Sequence, residues 1–159
     1  MNAMNQATRL TRITRLTHLA LCLTLAAGAG FSACSTAAEL TVNVTGLTAP
    51  YGSVGCSLFS TETGFPMDNA HAKSEWVSVS GDTAVCKFKD LSAGRFAVSV
   101  AHDTNGNKKL DTNLFGIPTE QWGVSNNVRP ALRAPKYEEA AFNIPADVPN
   151  LSIEIRVSK

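Results

Sequence analysis

Residues 94–123, GRFAVSVAHDTNGNKKLDTNLFGIPTEQWG, decide how this chain is read. The first ten alternate, with Phe96, Val98 and Val100 on one face and His102 in the same phase. A period of two is the signature of a half-buried β-strand. At Asp103 the alternation stops. Asp103, Asn105, Asn107 and Asp111 then place oxygen-bearing side chains at odd spacing, as in a metal loop, a catalytic loop or an elaborate turn.

The same alternation recurs outward from this strand, and helical periodicity does not. ELTVNVTGL sets Leu40, Val42 and Val44 in phase, SVGCSLF sets Val54, Cys56 and Leu58, and EWVSVSG sets Val77 and Val79. TAVCKFKDL aligns Ala84, Cys86 and Phe88, EEAAFNIPA aligns Ala140, Phe142 and Ile144, and NLSIEIRVS aligns Leu151, Ile153, Ile155 and Val157. Seven short strands separated by turn residues predict an all-β, seven-stranded sandwich of one domain over residues 39–159. Residues 103–137 form a span of about 35 residues with no clear strand, far beyond an ordinary connection. Leu110, Leu114, Phe115, Ile117, Trp122 and Val124 make it too apolar for disorder, so it is expected to be one long ordered loop.

The first 38 residues read differently. Arg9, Arg12 and Arg15 precede an apolar run from Leu16 to Phe31, and small residues follow. This is the layout of a secretory signal peptide, removed on export, and the run is short of the roughly 20 residues of a membrane span. Cleavage after Thr36-Ala37-Ala38 leaves Glu39 first. The alternative is lipid attachment at Cys34 in FSAC, which would anchor the chain to the envelope. A periplasmic or secreted location is therefore expected. Loss of three arginines turns 14 basic residues into 11 against 13 acidic ones, a net charge of −2. With no Lys/Arg run, nucleic acid is not an expected partner. Cys56 and Cys86 remain, both in the core phase. Export favours a disulfide between them, and neither belongs to a CxxC pair.

The run AHDTNGNKKLDTNLFGIPTEQWGVSNN, followed by a Pro-containing linker and YEEAAFNI, resembles the bacterial domain of unknown function family 2141. LTVNVTGL, GSVGCSLF and FKDLSAGRFAVSVAHD fit the same family, so the likeness covers essentially all of 39–159. It implies an exported β-sandwich of immunoglobulin or transthyretin type and implies no activity. The family pattern reads Asn-Gly-Asn-Gly-Lys through the turn, whereas Lys108 stands here at the second Gly. Gly accepts positive φ at low cost and Lys resists it.

Three chemistries fit the motif. Asp103, Asn105, Asn107, the carbonyl of Lys109 and Asp111 fall at positions 1, 3, 5, 7 and 9 of a calcium loop, the only cofactor suggested. Lys108 and Leu114 replace the Gly and Glu of an EF-hand, so binding on the order of 10⁻⁴–10⁻³ M is expected. The competing reading is a turn satisfied by its own Asx side chains. Catalysis is the second chemistry. His102, Asp103 and Glu120 are the acid–base candidates of a hydrolase-like alternative, without a nucleophile elbow or metal cluster beside them. Binding is the third. Trp76 lies out of phase with Val77 and Val79, and Trp122 and Tyr137 lie in or beside the loop, as contacts for an envelope protein, a peptide or a carbohydrate. The leading expectation is an exported, non-enzymatic binding or structural module.

Overall fold

A computed structural model describes residues 37–159. The predicted signal peptide, with its Cys34 alternative, lies outside these residues apart from Ala37 and Ala38. The chain forms β1 (Ala38–Thr45), β2 (Ser53–Phe59), β3 (Lys73–Ser78), β4 (Ala84–Leu91), β5 (Gly94–Asp103), β6 (Trp122–Val124), β7 (Phe142–Ile144) and β8 (Asn150–Arg156). One four-residue helix, α1 (Tyr137–Ala140), precedes β7, and short 3-10 turns lie at Asn69–His71 and Ser125–Asn127. β1 begins at Ala38, which is buried and opposite Leu91, one residue before the expected Glu39.

Two sheets make a sandwich-like β fold. The smaller runs β4-β1-β8, with β1 antiparallel to β4 and parallel to β8. The larger runs β3-β2-β5-β6, and β7 pairs with the first part of β5. The alternating apolar positions meet between the sheets: Leu40, Val42 and Val44 of β1, Val54 and Cys56 of β2, Val98 and Val100 of β5, and Ile155 of β8 are all buried in one cluster. Burial of this kind is the main favourable term in folding. The Cys56–Cys86 disulfide is present and ties β2 of one sheet to β4 of the other across that core.

The seven expected strands are eight. The span 103–137 is not one loop, because Trp122–Val124 pairs with β5, Val100 opposite Gly123. A three-residue strand is too short to show a period of two. Gly123 also hides its role: a Cβ there would lie 2.8 Å from the Arg156 carbonyl oxygen, so the edge of one sheet passes directly over the end of the other. The strand expected in EEAAFNIPA is shortened to its last part. Tyr137–Ala140 is helical because Glu139 Oε2 accepts the Lys136 backbone N–H at 2.8 Å, closing the first turn.

Candidate functional site

β5 delivers His102 and Asp103 to the end of the sandwich, and both are buried. Asp103 accepts four backbone N–H groups. Oδ1 takes those of Gly106 at 2.7 Å, Asn105 at 3.2 Å and Asn107 at 3.3 Å, and Oδ2 takes that of Lys108 at 2.7 Å. Burial pushes this carboxyl up, and the four donors outweigh it, holding it below its ordinary 3.8. The turn closes on itself further out. Asn105 Oδ1 accepts the Asn107 N–H, and Asn107 Oδ1 accepts the Lys109 N–H. The Asn105 and Asn107 amides donate to the two oxygens of Asp111 at 2.6 and 2.8 Å.

Glu120, 7 % exposed, staples the turn from outside. Its Oε1 accepts the Thr104 N–H and hydroxyl, and its Oε2 accepts the Asp111 N–H. His102 belongs to a separate cluster. Its Nε2 lies 3.0 Å from the Tyr51 carbonyl oxygen and its Nδ1 lies 3.3 Å from Gln121 Oε1. Gln121 Oε1 also accepts the Thr48 N–H and hydroxyl, and its amide donates to the Gly46 carbonyl. Gln121 was not singled out in the sequence. Its neighbours in space are about 75 positions away, so no local pattern marks it.

The structure thus gathers Asp103, Asn105, Asn107 and Asp111 into one turn. In it the carboxylate and side-chain carbonyl oxygens already accept hydrogen bonds, and Lys109 takes part through its N–H. Among the described residues no group of three or more His, Cys, Asp or Glu is arranged to hold a metal. Calcium takes six to eight oxygens turned toward one point, so each side-chain oxygen of this turn would have to exchange a hydrogen bond for the ion. His102, Asp103 and Glu120 share the sandwich end, and each is committed to other groups rather than to one another.

The aromatic candidates divide. Tyr137 is buried, with its hydroxyl donating to the Arg95 carbonyl at 2.8 Å and its ring edge-on to Phe65. It is a core residue and not the expected surface contact. Trp76 and Trp122 are half-buried on the outer face of the larger sheet. Trp76 lies flat over Gly55, the residue opposite it in β2, where a Cβ would meet its ring at 2.6 Å. Aromatic cover of a strand glycine is a recognised device for pinning register. Trp122 carries the Arg129 guanidinium 4.2 Å over its ring, and Arg129 also donates to the Trp122 and Ser158 carbonyls.

Between these tryptophans lies a groove of about 1010 Å³. Its floor is the small outward-facing set Gly55, Ser57, Ser99 and Ala101, and the loops on either side of β6 form much of its walls. Such a volume is at the upper end of the roughly 300–1,000 Å³ typical of small-molecule sites. Sequence reading found the tryptophans and missed the groove, because its floor is defined by side chains that are small.

A comparison with curated proteins finds no match, and neither does one with solved structures. Residues 42–151 match the family model described as "Uncharacterized protein conserved in bacteria (DUF2141)". That span is most of the chain and carries the Asx turn, Glu120 and both tryptophans, and the chain belongs to this family.

Proposed function

We propose that this chain is an exported, non-enzymatic binding module of the bacterial envelope, periplasmic or secreted, built as an immunoglobulin- or transthyretin-type sandwich. Its binding face is the outer side of the larger sheet. The observation that carries this reading is the groove between Trp76 and Trp122, whose floor of Gly, Ser and Ala leaves room that a packed sheet face would fill. The disulfide supports an oxidising compartment. Among the described residues no helix is long and apolar enough to cross a membrane.

The turn at 103–111 then serves as a rigid support for one wall. Its closed hydrogen-bond set favours the Asx-turn reading over a weak calcium ion. The hydrolase-like alternative asks His102, Asp103 and Glu120 to exchange protons while each holds a structural partner, which disfavours it.

The test is a titration of ¹⁵N-labelled protein with peptide, polysaccharide and lipid fractions of a bacterial envelope. Saturable shifts at Gly55, Ala101 and the Trp122 indole with one fraction would support the reading. Absence of shifts with every fraction would overturn it.

A further inference from the structure

We propose that the groove on the outer face of the larger sheet takes a single-chain anionic amphiphile, a long-chain carboxylate whose tail lies over Ser99 and Ala101, beside the Trp76 ring that covers Gly55, and whose head meets the lysines at the rim. This deepens the reading above and rests on it. Three observations carry it.

The first is where the exposed apolar surface lies. Of the seven large hydrophobic residues exposed among the described residues, four line this groove: Met67, Phe115, Ile117 and Leu132. Phe115 is 86 % exposed and Leu132 is 99 % exposed. Scattered single hydrophobics need no explanation, but a contiguous set around one concavity marks a binding site.

The second is charge. Residues 39–159 contain eleven basic and thirteen acidic side chains. Five of the eleven line the groove (Lys108, Lys109, Arg129, Arg133 and Lys159), and none of the thirteen does. Arg133 is paired with Glu139, whereas among the described residues Lys108, Lys109, Arg129 and Lys159 form no ion pair. A module of net negative charge therefore presents a cationic rim here. That pattern attracts anions to this concavity and away from the rest of the surface.

The third is what the floor withholds. β2 and β5 are paired on both sides where they cross the floor, so their backbone groups are already used. An extended peptide laid over them would gain no ladder and would bury its own amides unpaired. A neutral sugar needs acceptors as well as donors, and the charged side chains here only donate. A hydrocarbon tail has no polar group to satisfy, and its carboxylate matches the lysines.

The chain has two tryptophans, and both line this groove, so tryptophan emission reports on it alone. The experiment adds a dibrominated C18 fatty acid, below its micellar concentration at pH 8, to the protein as purified from its host. The methyl ester serves as the uncharged control. The expected result is saturable quenching at one equivalent, with the ester weaker by about tenfold. Lys108→Gln, Lys109→Gln and Lys159→Gln together should abolish that difference, and Leu132→Asp should weaken both ligands. Equal affinity for acid and ester would overturn the anionic specificity. A concentration-dependent dimer that shields the tryptophans would overturn the proposal in favour of a second copy of the chain. Absence of quenching, with an envelope fraction still shifting the groove resonances, would overturn the amphiphile and leave the binding module standing. Absence of both would remove the two together.

Discussion

Lys108 donates its backbone N–H to Asp103 Oδ2 at 2.7 Å while holding φ at +57°. The bond requires the backbone to turn left-handed at a residue that resists it. A non-glycine residue in this region costs about 1–2 kcal/mol, and Asp103 supplies the compensation. Lys108→Gly relieves the Cβ strain and keeps the N–H, with part of the gain offset by the entropy of glycine in the unfolded chain. The expected outcome is a stabilisation of about 0.5–1 kcal/mol, read as a higher denaturant midpoint at unchanged m-value.

Asp103 is expected to contribute to the acid limit of the fold. Its folded-state pKa lies below the ordinary 3.8, so its stabilising contribution is complete above that value and is lost as pH falls through the folded-state range. The thermal midpoint should therefore drop steeply below about pH 4. Asp103→Asn replaces one acceptor oxygen by a donor facing backbone N–H groups. It should cost about 2–4 kcal/mol at neutral pH and flatten the acid limb. The same melting experiment tests calcium. With every side-chain oxygen of the turn engaged, the midpoint should be equal in EDTA and in several millimolar calcium. A midpoint that climbs with calcium, and stops climbing in Asp103→Ala with Asp111→Ala, would restore the metal loop.

His102 and Gln121 brace the end of the sandwich from inside. His102→Ala removes a buried ring and leaves the Tyr51 carbonyl and one Gln121 contact without it. A loss of about 2–4 kcal/mol is expected from cavity and unpaired polar groups together. Hydrogen exchange should rise first at Thr48, Tyr51 and His102. A variant of wild-type stability that lost a hydrolytic activity would instead support the acid–base alternative.

Much of this fold is legible because one face of each strand is buried and the other is not. Leu40-Val42-Val44 and Phe96-Val98-Val100 announce themselves by period, and that period also aimed Cys56 and Cys86 at each other. Trp122–Val124 escaped because three residues carry no period, and Tyr137 because phase says nothing of a helical turn. Asp103 and Asn105 were visible as an Asx cluster, yet spacing alone could not tell a cation cage from a turn that bonds to itself. That choice depends on where the N–H groups point. The groove was least legible. It is a property of Gly55, Ser57, Ser99 and Ala101 being small while Trp76 and Trp122, from other strands, stand beside them.

The disulfide should be a large single contribution to the stability of the sandwich, beside the burial of its core. It closes a loop of 30 residues between the two sheets, for which chain entropy gives about 3–4 kcal/mol. Cys56→Ser with Cys86→Ser should lower stability by that amount or more, since two hydroxyls then lie in an apolar core without partners. Cys56→Ala with Cys86→Ala separates the terms, because it removes the crosslink without burying polar groups. If the alanine pair costs about as much as the serine pair, the crosslink accounts for the loss. If it costs nearly nothing, the core alone holds the sheets together, and the expected dependence on an oxidising compartment fails.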